Sequence, residues 1–208
     1  MLYLYQILLK VTIFMREKSD SPKCRKLIEA GRKYFWKYGF RRVTIDEICK
    51  EADVSKMTFY RCFENKTDLA VTIFDEVVRV SIEKFNEIIK ADITPSEKLQ
   101  QILVMKMEGT DEISREFMLD FYSSSDTGLK DYVENATMMA WKEVIDGFRY
   151  AQEMGWFRKD FKPEFLFYLS QKLVPMATDE ELLKLYDKPQ DLIMEFANFF
   201  TYGISVHS

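Results

Sequence analysis

The sequence predicts an all-α protein, and three observations predict it. Apolar residues recur at three- and four-residue spacing along most of the 208-residue chain. No segment alternates apolar and polar residues long enough for a strand. Gly and Pro number only 7 and 5, too few for a turn-rich β fold. The 17 Phe, 11 Tyr and 11 Met supply much apolar surface to bury.

Each element has its own local cause. Ser21-Pro22 starts a first helix, with Ser as N-cap and Pro in the first turn, and Gly39 stops it, giving about 22–38. Leu27, Ile28, Gly31, Tyr34, Phe35 and Tyr38 repeat at helical spacing within it. Thr44-Ile45-Asp46-Glu47 is a capping box that opens a second helix, buried through Ile45, Ile48 and Ala52. Asp53-Val54 makes a turn, and Ser55 caps a third helix held by Phe59 and Phe63. Asn65 or Thr67 caps a fourth, whose stripe from Ala70 and Ile73 to Ile88 and Ile89 runs to about residue 90. Thr94-Pro95-Ser96-Glu97 restarts the chain to about Glu108, and a sixth helix covers about 112–122. The cluster from Ser123 to Gly128 reads as a loop. Helices follow over about 129–154, from Pro163 to about Val174, and from Pro189 to Gly203, with a possible short helix before the last.

Charge divides the chain. Residues 21–70 hold twelve Lys/Arg against seven Asp/Glu, whereas residues 71–208 hold fifteen against twenty-five. A basic module joined to an acidic one presents its basic end to a polyanion. The domains expected are 21–66, a helix-turn-helix module, and 67–208, a helical regulatory module, after an extension over 1–20. Residues 1–14 are apolar but interrupted by Lys10, too short to cross a bilayer, and lack a signal peptide's basic start and cleavage site. Met15 opens a more ordinary polar segment and is an alternative translation start. No membrane partner is expected. Cys24, Cys49 and Cys62 form no C-x-x-C; three buried or half-buried thiols in a reducing cytoplasm are expected. The single His, His207, argues against nucleophilic catalysis. Glu108, Glu112, Glu116 and Asp120 fall at four-residue spacing but lack the Glu-x-x-His of a di-iron bundle. Neither enzymatic activity, nor a cofactor, nor a metal site is expected.

The most informative stretch is 44–66, two short helices joined by a tight turn. In a helix-turn-helix the later helix enters the major groove of double-stranded DNA. Its exposed face is expected to carry Ser55, Lys56, Met57, Thr58, Tyr60 and Arg61. Thr44, at the start of the preceding helix, and Lys66, beside the fourth, are expected to reach phosphates, with bases read by Lys56, Met57, Thr58 and Arg61.

Gly39, Thr44, Ile45, Ile48, Ala52, Val54-Ser55-Lys56, Thr58-Phe59-Tyr60, Phe63, Lys66 and Leu69 resemble the N-terminal pattern of the TetR family of bacterial regulators. The resemblance covers about 22–70 and implies DNA contacts by Thr44, Ser55, Lys56, Thr58, Tyr60 and Lys66. Met57 departs from the family's usual small residue, and Cys62 from a common polar one. Weaker echoes occur at Gly155-Trp156-Phe157-Arg158 and at Phe200-Thr201-Tyr202-Gly203.

The regulatory module has no motif of similar strength. Its last two long helices are apolar over more than one face, so more than one face needs burial. The resemblance implies a homodimer built on them, with Phe165, Leu169, Leu173, Leu192, Phe196, Phe199 and Phe200 at the interface. It also implies a small, partly apolar effector. The expected liners of its site are Met105, Phe117, Phe121, Tyr122, Met138, Trp141 and Phe148. The function these readings imply is a transcriptional repressor that binds a palindromic operator and is released by its effector. A dimeric regulator without an effector is the alternative.

Overall fold

The computed structural model describes residues 21–123, 128–176 and 179–205, so the expected extension over 1–20 lies outside the described residues. Ten α-helices and no strand occur among them, as the periodicity predicts. They are α1 Pro22–Tyr38, α2 Ile45–Glu51, α3 Lys56–Cys62, α4 Lys66–Lys90 and α5 Pro95–Gly109. Then follow α6 Arg115–Met118, α7 Leu129–Glu153, α8 Pro163–Met176, α9 Glu180–Leu183 and α10 Pro189–Ile204.

Local chemistry sets most boundaries. Thr44 Oγ1 accepts the Glu47 amide at 3.3 Å, while the Glu47 carboxylate accepts the Thr44 amide at 2.8 Å. Thr94 and Glu97 repeat this reciprocal cap at the head of α5. In both boxes the threonine hydroxyl, and then its backbone amide, hold the glutamate's pKa below the ordinary 4.5. Between folded and unfolded pKa the unfolded chain binds more protons. The stabilisation is therefore complete above pH ~4.5 and is lost as pH falls through the lower folded value. An NMR titration of the Glu47 and Glu97 carboxyls is expected to give midpoints below 4.5; Thr44→Val returns Glu47 towards it.

The expected sixth helix, 112–122, is shorter and irregular. Ser114 caps α6, which widens after one turn into a π-helical stretch over Leu119–Ser123. The expected loop after it falls largely on residues 124–127, outside the described residues. Gly109 ends α5, and Thr110 to Ser114 turn the chain, so Glu108 and Asp120 do not share a helix face. Glu108 instead pairs with Lys84 at 3.2 Å.

Two hydrophobic clusters hold the fold. The first gathers Leu27, Phe35 and Trp36 of α1, Ile48 of α2, Phe59 of α3 and Leu69 and Ile73 of α4. It also takes in Phe117, Met118 and Phe121 from the α6 region and Leu129 and Val133 from α7. The core therefore crosses the boundary expected at residues 66–67. The second cluster joins Phe85 and Ile89 of α4, Phe148 and Ala151 of α7, Phe157, Leu166 of α8 and Ile204 of α10. Helix α4 belongs to both clusters and packs along α7. Between them the Tyr132 hydroxyl donates to Asp75 Oδ1 at 2.6 Å, a pair whose burial raises both pKa values.

Lys98, in the first turn of α5, is fully buried. Its ammonium donates to the carbonyls of Ile88, Ile89 and Ala91, where α4 ends, and lies 4.1 Å from the centre of the Trp156 ring. A cation at a helix C-terminus satisfies carbonyls that have no partner within the helix. The corner between α4 and α5 is thus built around one side chain.

The three cysteines depart from the expected free thiols. Cys24 and Cys62 form a disulfide, with their α-carbons 5.6 Å apart, and Cys49 is free and buried. The 38-residue separation hid this pairing. Packing α1 against α3 brings the first turn of one beside the last residue of the other.

Candidate nucleic-acid interface

Helices α1, α2 and α3 pack on one another, and α3 is pinned from behind. Phe59 and Phe63 are buried, with ring centres 5.8 Å apart. The turn before α3 passes through Asp53 at φ +53°, a left-handed conformation that a short polar residue tolerates. Ser55 Oγ then accepts the Thr58 amide at 3.2 Å and starts the helix.

This pinning leaves one face of α3 outward. Met57 is 75% exposed and Tyr60 57% exposed, while Ser55, Lys56 and Arg61 are also exposed. Thr44 is exposed at the head of α2. Lys56 Nζ lies 2.6 Å from Asp46 Oδ1, an exposed pair that ties α3 to α2. Six expected contact residues, Thr44, Ser55, Lys56, Met57, Tyr60 and Arg61, are therefore surface residues of this module.

Two others are placed differently. Thr58 is buried, its hydroxyl 3.1 Å from Ser55 Oγ, because the position three residues after the cap turns back over it. Lys66 points inward. Its ammonium donates to the Phe40 and Val43 carbonyls at 2.7 Å each and stands 4.3 Å from the centre of the Phe40 ring. Burial lowers its pKa, opposed by the charges of Asp120 and Glu47. In this structure Lys66 shapes the loop that leads into α2.

The same loop touches the regulatory part of the chain. The Arg41 amide donates to Asp120 Oδ2 at 2.8 Å, and Arg41 Nε lies 3.5 Å from Oδ1. Gly39 has φ +78°, and a β-carbon there would stand 2.7 Å from Asp120 Oδ2 and 2.8 Å from Glu116 Cβ. Only glycine fits both that conformation and that approach. The Ser114 amide donates to the Trp36 carbonyl, and the Trp36 and Phe117 rings pack at a tilt with their centres 4.4 Å apart. The Gly39 to Arg42 link and its seat on α6 were not anticipated as a unit. Their signal was the adjacent pair Arg41-Arg42 just before the capping box, with Arg42 stacked 5.3 Å from the Tyr38 ring centre.

The expected effector-site residues divide between the two clusters, with Met105 and Trp141 packed against the second beside Phe148. Phe117 and Phe121 lie in the first cluster, against Trp36 and Phe40, and Phe148 lies in the second. Trp141 is half-buried against Phe167, and Met138 is exposed. Tyr122 lies outside the described side chains. Met105 alone of them lines a cleft of about 340 Å³ between α1, α4 and α5. Ile28, Ile73, Val77 and Val80 give the cleft apolar walls; Arg25, Arg32, Lys84, Glu29, Glu76 and Glu108 charge it.

The residues expected at a dimer interface differ in exposure. Phe165 on α8 and Phe199 on α10 are 60% and 74% exposed. Tyr168 and Tyr202, three residues after each, are as exposed and extend the same faces; the helical spacing was the signal for them. Leu169, Phe196 and Phe200 are half-buried. Leu192 is 1% exposed, buried within this chain rather than on the outward face expected of it. Leu173 lies outside the described side chains.

Together these features define a class: an all-α protein with an N-terminal helix-turn-helix module. Residues 27–73 match the family described as bacterial regulatory proteins, tetR family, which confirms the resemblance of that module. The fatty acid metabolism regulator protein of Bacillus subtilis (strain 168) is 31% identical over 86 residues, 41% of this chain and 44% of that protein. The matches span about half the length of the curated relatives. The fatty acid degradation regulator FadR of Bacillus halodurans superposes with a TM-score of 0.66 at 17% identity, over 88% of this chain and 97% of that one. FadR of Bacillus subtilis, solved in complex with stearoyl-CoA, gives 0.60 at 19% identity, over 86% and 98%. At these identities the structures establish a shared fold over nearly the whole chain. No helix among the described residues is long and apolar enough to cross a membrane.

Proposed function

We propose that this protein is a repressor that binds a palindromic DNA operator as a homodimer and is released by a small, partly apolar effector. The observation that carries the reading is the outward face of α3: a large apolar and an aromatic side chain stand exposed between Lys56 and Arg61. An exposed apolar pair rimmed by cations on one helix face suits a partner that offers both apolar and anionic surface. Base edges and thymine methyls accept such groups, while phosphates take the flanking cations. Thr44, Ser55, Lys56, Met57, Tyr60 and Arg61 form the contact set in this reading. Thr58 positions Ser55, and Lys66 positions the loop before α2. Residues 21–66 act as the reader and 67–208 as its control, with α4 as the shared element.

Dimerisation rests on the aromatic faces of α8 and α10. A two-fold pair of these chains presents two copies of α3 to two half-sites, which gives a palindrome. Stearoyl-CoA, bound by the Bacillus subtilis FadR, makes long-chain acyl thioesters the first effectors to test. The division of the expected effector-site residues between two clusters keeps a second reading open, a dimeric regulator without an effector.

Selection of DNA from a random-sequence library, followed by fluorescence anisotropy on the selected site, tests the function. A two-fold symmetric site is expected, with Lys56→Ala/Tyr60→Ala weakening binding at least ~100-fold, about 3 kcal/mol. An empty selection would sink the regulator reading. Release of DNA by an acyl thioester separates the two versions of it.

A further inference from the structure

We propose that Cys24 and Cys62 form a thiol–disulfide switch that sets DNA affinity, with the bridged form binding more tightly; this rests on the DNA-binding reading above. The geometry carries it. The bridge joins the first turn of α1 to the last residue of α3, so the ring it closes contains nearly all of α1, and all of α2 and α3. Every side chain assigned to DNA lies within that ring. Both sulfurs lie at the back of α3, beside the core residue Phe59 and away from the face of Met57 and Tyr60. The bond therefore fixes the reader without occupying its surface.

In the reduced state α3, only seven residues long, is held from behind by Phe59 and Phe63 and at its head by Ser55 and the Lys56–Asp46 pair. Its last turn has no covalent anchor. A covalent anchor there removes motion that DNA binding must otherwise quench, so affinity rises through pre-organisation. Cys49, the third cysteine, is buried and free in the structure.

The chemistry balances with a low-molecular-weight disulfide, RSSR, as oxidant. Cys24 lies in the first turn of α1, between Lys23 and Arg25, where cations and the helix N-terminus best accommodate an anionic sulfur. The Cys24 thiolate attacks one sulfur of RSSR, forming a mixed disulfide and releasing RS⁻. The Cys62 thiolate then attacks Cys24 Sγ, closing the protein bridge and expelling the second RS⁻. The two thiol protons pass to the two RS⁻. Two protein thiols lose two electrons, and one RSSR becomes two RSH.

The test uses the full chain equilibrated in reduced or oxidised glutathione, then alkylated and mapped by peptide mass. DNA selected from random sequence by each form serves as the anisotropy probe. Expected results are a linked peptide pair containing Cys24 and Cys62, a Tm about 10 °C higher when bridged, and about fivefold tighter DNA binding. Cys24→Ala is expected to fold and to bind DNA equally in both buffers, and the unmutated chain in its two states provides the same comparison without any substitution. No linked pair, or a linked pair with equal affinity, overturns the switch while leaving the regulator reading intact. Selections that fail for both forms overturn the regulator reading and the switch with it.

Discussion

Phe59→Ala is expected to destabilise the protein by about 3–5 kcal/mol, lowering Tm by roughly 10–15 °C. Phe59 is fully buried, and its ring meets Phe63 and Tyr60 at 5.8 and 5.4 Å. Truncation removes the transfer energy of the ring and leaves a cavity that neighbouring helices fill only in part. The damage falls on the element proposed to face DNA. Thermal unfolding measures the loss, and anisotropy at low temperature is expected to show weakened DNA binding even where most molecules remain folded. Phe59→Leu, which keeps more of the volume, is expected to cost less. A loss below about 1 kcal/mol for Phe59→Ala would show that α3 is held by something other than this ring.

Lys98→Met is the second large effect, about 2–4 kcal/mol. Methionine keeps an apolar stem of similar length but no donor, so the carbonyls of Ile88, Ile89 and Ala91 lose their shared cation. The ring face of Trp156 loses its charge partner as well. Because Lys98 sits at the far end of α4 from α3, DNA affinity at low temperature is expected to be nearly unchanged. Urea unfolding of the variant beside wild type checks the energy. An unaltered midpoint would mean that water satisfies those carbonyls as well as the lysine does.

The two residues differ in how readable they were. Phe59 was legible because Phe59 and Phe63 share a helical face after the Ser55 cap, and periodicity alone assigns that face to the core. The caps at Thr44 and Ser55 were legible for the same reason, each being a contact within a few residues, whereas Ser21 precedes α1 without a side-chain cap hydrogen bond. Lys98 was not, since nothing in its neighbours marks a lysine for burial. Lys66 was misplaced by the same rule, since a lysine at a helix start reads as a surface cation until the Phe40 and Val43 carbonyls are seen beside it. Thr58 failed for a subtler reason: seven residues of α3 leave little room between inward and outward faces. The disulfide, and the gathering of Phe117 and Phe121 against the first helix, depend on chain segments 38 or more residues apart. Helical spacing carries no information over that distance. The irregular turn after α6 also answers to its neighbours, because Asp120 there reaches the loop after α1.

That contact has a mechanical consequence. A module carried by one long helix is a flag on a pole, free to swivel about the pole's axis. Here the flag is latched a second time, where the bare α-carbon of Gly39 lets Asp120 reach the Arg41 amide. Two attachments remove the swivel, and rotation then requires the latch to release. A latch of hydrogen bonds in a closely fitted seat opens in a step rather than by degrees, so the torsional stiffness between the two halves of this chain rests on this latch together with the aromatic seat of Trp36 on Phe117 and Phe121.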